Sequence, residues 1–214
     1  YKAMDVLSFA QPALAVVGAG IISGLAVDRG INFWIAFIAA LIATGVLGAL
    51  LERTFLRPMV GEPVFSVAIL TIGLDIILRT VLDNWIGVNP RFMGDPIVTW
   101  GQTGSITFSG LVFKFQELGA LMTAVLSVIF LGYFFKASKY GLAMKATSFD
   151  QEASLAQGIN VGRVFGLVWF IGGILAAFAG FFITGGFNLL SQASFISALR
   201  ALPAVVIGGL DSIP

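Results

Sequence analysis

The chain has 214 residues, 58% of them hydrophobic and 11% charged, with 26 Gly and 20 Phe. Soluble domains carry about 25% charged residues, so this composition, with a mean hydropathy of +0.99, excludes an ordinary water-soluble domain. The sequence holds no Cys and no His, which removes thiol chemistry, His-containing metal sites, Ser–His triads and His proton relays, and its net charge of +1 argues against a nucleic-acid partner.

A spanning helix needs about 20 mainly apolar residues. Phe9–Val27 is the first candidate, and it carries the polar interruption Ser8-Phe9-Ala10-Gln11-Pro12 near its start. Proline frees a backbone carbonyl, and non-helical backbone at membrane depth is tolerated only against protein or a water-filled cavity. Two readings follow. Either the break builds a substrate site around Phe9 and Gln11, as broken helices do in transporters, or a helix simply begins at Pro12 near the surface.

Ile31–Leu51 is the clearest span, with no charge along its length. Val64–Val81 is the third and contains Asp75 and Arg79, four residues apart and so on one helix face. Charged groups at depth normally face the bundle interior or water. They either line a translocation path or form a structural pair near the outer end, where Arg79 snorkels to the interface. In the long connection that follows, Ser105-Ile106-Thr107-Phe108 and Leu111-Val112-Phe113-Lys114-Phe115 flank Ser109-Gly110, which predicts a small external β-hairpin.

Leu118–Phe135 is the fourth span and Val164–Ile183 the fifth. Within the fifth, Gly172-Gly173 and Ala176-Ala177-Phe178-Ala179-Gly180 predict a close helix–helix seam. Phe187–Leu210 holds Ser191-Gln192, Arg200 and Pro203 and reads as an irregular sixth span or a re-entrant piece before a helix. Arg200 either lines a pathway or anchors a helix end. Tryptophans and tyrosines read as interfacial anchors. The expected fold is an all-α polytopic membrane protein with about six spans in a single domain over residues 1–214, incomplete at both ends.

Between the fourth and fifth spans lies a polar island, Ser148-Phe149-Asp150-Gln151-Glu152-Ala153-Ser154-Leu155-Ala156-Gln157-Gly158-Ile159. It predicts a short helix with Ser148 as N-cap, Gln151 reaching back as its capping-box partner, and Asp150 and Glu152 in the first turn. Gly158 supplies a left-handed stop before apolar Ile159. Phe149, Ala153 and Ala156 recur at helical spacing and give the helix an apolar side. Such a helix on the water side suits the docking of another protein. Parity places loops 52–63 and 136–163 on one side, where Arg53, Arg57, Lys136, Lys139, Lys145 and Arg163 concentrate, so the positive-inside rule makes that side cytoplasmic. No G-x-x-x-x-G-K-[ST] is present to cradle nucleotide phosphates.

Glu152-Ala153-Ser154-x-x-x-Gly158 resembles the E-A-A-x-x-x-G loop of ABC importer permeases. Glu52-Arg53 followed by Arg57-Pro58, Thr71-Ile72-Gly73-Leu74, Ser138 through Ala146, and Gly208-Gly209-Leu210-Asp211-Ser212-Ile213-Pro214 are similar, in order, to landmarks of the branched-chain amino-acid permease family. The resemblance implies an inner-membrane subunit whose 148–159 helix sits in a groove of an ATP-binding subunit. It implies as partners a second homologous permease, a pair of ATP-binding subunits that hold ATP and Mg, an external solute-binding protein and membrane lipid. Lys139, Lys145 and Arg163 would support the loop or face anionic lipid. This chain itself is expected to be neither an enzyme nor the holder of a cofactor or metal. Family members commonly carry an N-F-A-H-G-like motif where Ser8-Phe9-Ala10-Gln11-Pro12 stands here. That departure leaves the solute open among branched-chain amino acids, urea, short amides and other small organic solutes. The rival class is a stand-alone carrier or channel coupled through Asp75 with Arg79 as its switchable partner, which has no need of a coupling helix.

Overall fold

The computed structural model describes residues 8–59, 62–87, 105–108, 111–187 and 203. Five of its helical segments are long and apolar enough to cross a membrane: Gln11–Asp28, Phe33–Met59, Phe65–Trp85, Glu117–Ala137 and Val161–Thr184. They coincide with the five expected spans from Phe9 to Ile183. The sixth expected region, with Arg200, lies outside the described residues apart from Phe187 and Pro203.

Helix α1 (Gln11–Ser23) starts with Pro12 in its first turn, where a missing N–H removes nothing, and runs on through a π-helical turn at Gly24–Asp28. It is the central helix, with every residue from Pro12 to Gly20 buried. Its sequence is apolar all round, which is the pattern a helix surrounded by others requires. Helix α2 (Phe33–Leu51) is capped by the Asn32 side chain, which accepts from the Trp34 N–H at 3.0 Å, and continues as a π-helical turn at Glu52–Leu56 and a 3₁₀ turn at Arg57–Met59. Helix α3 (Val64–Ile86) ends at Gly87, whose φ of 88° is one that glycine adopts at little cost.

Strands β1 (Ser105–Phe108) and β2 (Leu111–Lys114) pair antiparallel, with Ser105 opposite Lys114 and Phe108 opposite Leu111. The expected turn at Ser109-Gly110 lies outside the described residues. Helix α4 (Phe115–Ala137) follows directly. It exposes Leu121, Met122, Val125, Leu126, Val128 and Ile129, as a helix facing lipid does. Helix α5 (Lys139–Phe149) is capped by Ser138, which accepts from the N–H groups of Tyr140 and Gly141. The short helix α6 (Gln151–Ala156) and the long helix α7 (Val161–Phe187) complete the described chain.

The seam expected from the small residues of the fifth span is present, and α1 and α2 are what it packs against. A Cβ at Gly173 would lie 2.5 Å from the Thr44 carbonyl oxygen, and one at Gly48 would lie 2.6 Å from the Trp169 carbonyl oxygen. Gly180 abuts the Ala15 backbone, and Gly18 abuts Ala177. At the far end of the seam Phe181 meets Phe33 at a tilt and Phe37 edge to face, with centroids 5.8 and 5.1 Å apart, and Phe37 meets Phe178 edge to face at 5.4 Å. Contacts from Phe33–Phe181 through Gly48–Trp169 to Arg57–Gly162 show α2 and α7 antiparallel. Trp169 corrects the reading of tryptophans as interfacial: only 6% exposed, it belongs to this core, whereas Trp34 and Trp85 are exposed near helix ends.

Candidate functional site

The polar island folds differently from expectation at its entry. Ser148 is not the N-cap: it lies inside α5, and its hydroxyl donates to the Lys145 carbonyl at 2.8 Å. Serine makes this backward bond readily inside a helix. Asp150 is the N-cap instead. Its backbone is extended, at φ −154° and ψ 111°, and its carboxylate accepts from the Ala153 N–H at 2.9 Å. The helix therefore begins at Gln151, and Gln151 is no capping-box partner.

The exit is as expected. Gly158 has φ +81°, its N–H bonds the Leu155 carbonyl, and the Ile159 N–H bonds the Ser154 carbonyl, both at 3.0 Å. These are the two bonds of a Schellman stop. Asn160 then caps α7, accepting from the Arg163 N–H at 3.0 Å through its side chain. Every junction from Asp150 to Arg163 is thus fixed by a cap. On this frame Ser154 and half-buried Ile159 turn inward, while Glu152, Ala153, Leu155 and Ala156 are exposed. Phe149, at the end of α5 rather than on α6, is 83% exposed and Leu155 is 58% exposed. The exposed groups of α6 thus include an acid, Glu152, and an apolar side chain, Leu155, three residues further on.

The second candidate region sits at the start of α1. The Phe9 N–H donates to Thr71 Oγ1 at 3.2 Å, and Thr71 in turn donates to the Ala68 carbonyl. Thr71 is seven residues into α3, about 10 Å along its axis. The Gln11 amide nitrogen lies 3.2 Å from where a Gly172 Cβ would stand, well inside α7. The helix does begin at Gln11-Pro12, but at depth among other helices rather than near the surface. Ala10 provides no side-chain cap, and the buried Ser8 hydroxyl has no hydrogen-bond partner among the described residues.

One turn beyond Thr71 lies Asp75, 5% exposed, whose Oδ2 accepts from Arg79 Nη2 at 2.5 Å. The two residues form the expected pair. Asp75 stands near the middle of α3, about 16 Å from its start, and not at the outer end. Its Oδ1 is buried without a partner among the described residues. The structure thus brings Phe9 beside α3 and Gln11 beside α7, with Asp75 and Arg79 one to two turns further along α3. The island is a separate site.

The sequence offers no sign that Glu52 and Arg57 pair, yet they form the other side-chain ion pair among the described residues, a buried carboxylate with a partly exposed guanidinium. Glu52 is fully buried, and its carboxylate receives Arg57 Nε at 3.2 Å and Nη2 at 2.9 Å. The i,i+5 spacing gave no signal, because in an α-helix such residues point about 140° apart.

A bundle of membrane-length helices, organised around a small-residue seam and bearing a short capped helix at one end, defines a polytopic helical membrane protein. The family described as the permease component of the branched-chain amino acid transport system matches residues 1–214. The chain belongs to that family of membrane permeases. It is similar to the high-affinity branched-chain amino acid transport system permease protein BraD of Pseudomonas aeruginosa, at 26% identity over 84% of this chain and 59% of that protein. LivH of Salmonella typhimurium, a protein of the same description, is 29% identical over 83% of this chain and 58% of its own length. The fructose import permease protein FruF of Bifidobacterium longum is 29% identical over 92% of this chain and 52% of its own. The chain therefore spans somewhat under three fifths of the length of the first two. No solved structure matches it.

Proposed function

We propose that this chain is the transmembrane permease subunit of an ABC importer for branched-chain or related small amino acids. In this reading it lies in the bacterial inner membrane as one permease domain over residues 1–214. It works with a second homologous permease, a pair of ATP-binding subunits that hold ATP and Mg, and an external solute-binding protein. Helix α6, with the residues from Ser148 to Ile159 around it, docks on an ATP-binding subunit and carries its closure into α5 and α7. The observation that carries the reading is the outer face of α6. Glu152 and Leu155 stand exposed three residues apart on a helix locked at both ends, and Phe149 is exposed at the end of α5 just before it. Exposed apolar side chains rimmed by polar ones suit a protein contact.

The end of the bundle that bears α6 is cytoplasmic. Arg57 and Gly162 meet at 2.6 Å, so the basic loops 52–63 and 136–163 share a side, as the positive-inside argument requires. The β1–β2 pair then belongs to the external side. The solute path runs past the start of α1. There the first N–H groups of α1, the Ser8 hydroxyl and Gln11 lie at membrane depth, and a helix N-terminus favours a carboxylate. Phe9, Asp75, Arg79 and Arg200 are assigned to the same path, Asp75 offering its unpaired oxygen to an ammonium group.

Two experiments test this. Purifying the full-length protein in mild detergent is expected to bring down stoichiometric P-loop ATPase and a second permease, identified by mass spectrometry. Recovery of the chain alone, active in uptake without ATP when reconstituted, would transfer the assignment to an Asp75-coupled carrier. For the path, Asp75→Asn is expected to lower solute uptake per folded molecule about tenfold, the scale of one lost charged hydrogen bond. Unchanged uptake kinetics with a lower melting temperature would make Asp75–Arg79 a structural pair only.

A further inference from the structure

The Glu52–Arg57 pair ties the end of α2 to the start of α7, and we infer that it is a latch: both are positioning residues through which movement of α6 is passed to α2. The inference rests on the importer reading above. The π-helical turn at Glu52–Leu56, closed by the Arg57 N–H on the Glu52 carbonyl, brings residues five apart to one side of the helix. An α-helical turn would separate them. Such wide turns recur at functional sites.

The latch has a third member. Arg57 Nη2 also donates to the Gly162 carbonyl at 2.6 Å, bridging 105 residues of sequence. Glycine at 162 and 166 makes room for it. A Cβ at Gly162 would lie 3.1 Å from the Arg57 Cζ and Nη1, and one at Gly166 would lie 3.5 Å from Glu52 Oε2. The guanidinium fork is thus laid against bare backbone. Lysine, with a point charge and no fork, cannot hold both partners in this geometry.

Between the Schellman stop of α6 and Gly162 stand only Asn160 and Val161, and Asn160 is itself engaged as the α7 cap. A displacement of α6 therefore reaches Gly162 with little slack, and Arg57 hands it to Glu52 at the end of α2. From there α2 transmits it along the close seam of Gly45, Gly48 and Gly173. Stability alone is a weak reason to keep such a pair, since taking the Glu52 carboxylate out of water carries a desolvation penalty that attraction to a partly exposed Arg57 need not repay.

The test uses the full-length permease with its ATPase and solute-binding partners in proteoliposomes and reads solute imported per ATP hydrolysed. Glu52→Gln and Arg57→Lys are expected to lower that ratio roughly tenfold while the ATPase rate per assembled complex stays near wild type. Gly162→Ala, which keeps both charges and only pushes the guanidinium off the carbonyl, is expected to lower the ratio in the same direction and carries the test if Glu52→Gln does not assemble. An unchanged ratio per assembled complex in these variants, whatever their yield, overturns the latch and leaves the importer reading intact. A wild-type complex that imports solute with no ATP overturns both.

Discussion

Gly173→Val is expected to lower the melting temperature of the detergent-purified protein severely, with most of the chain lost to aggregation. The new Cβ would lie 2.5 Å from the Thr44 carbonyl oxygen and 3.0 Å from the Gly45 Cα, and neither is the end of a flexible side chain that can swing away. Helices α2 and α7 must separate along their length. Overpacking a tight core costs about 1–3 kcal/mol and occasionally more. Inside a membrane the loss is felt fully, because lipid is as apolar as leucine and helices associate through close packing rather than hydrophobic expulsion. Gly73→Ala is the control: its Cβ meets nothing within 4 Å among the described residues, so only helix propensity changes, by about 1 kcal/mol in favour of alanine. Fluorescence-detected size exclusion after heating separates the two. Equal melting temperatures would mean that the α2–α7 seam does not hold the bundle together.

What was legible in the sequence is what a bilayer dictates. The apolar runs at 9–27, 31–51, 64–81, 118–135 and 164–183 had to become helices because the backbone has no other partner in hydrocarbon. The small residues of the fifth span marked a seam, but not its partner helices, since side-by-side placement of spans is a tertiary fact. For the same reason the depth of Gln11 was not readable. It depends on Thr71 reaching the Phe9 N–H from another helix. The misplaced cap has a local cause. Ser148 and Asp150 are both good N-cap residues two positions apart, and the choice fell to Asp150 because the Ser148 hydroxyl is held by Lys145 within α5. The Glu52–Arg57–Gly162 latch was invisible because α-helical periodicity does not pair residues five apart, and a π-helical turn carries no pattern that a 3.6-residue search detects.

Glu152→Arg is expected to reduce ATP-driven uptake below about a tenth of wild type while leaving the amount of inserted, folded protein nearly unchanged. The two halves of that statement have different causes. Glu152 is exposed in the first turn of α6, and Asp150 remains as the N-cap with its carboxylate on the Ala153 N–H. Losing a favourable acid at a helix N-terminus and gaining a base there changes local stability by only about 1 kcal/mol, which a helix fixed by the Gly158 stop withstands. At a docked surface the same change sets a cation where the partner meets an anion, and like-charge juxtaposition across an interface costs several kcal/mol. Leu155→Ala offers the apolar counterpart, trimming a side chain 58% exposed in this chain that a groove would bury. The decisive measurement is uptake into proteoliposomes together with the amount of ATP-binding subunit that co-purifies with each variant. Loss of both from Glu152→Arg locates the docking face on α6. Full uptake with a full complement of ATPase would remove α6 from the coupling pathway.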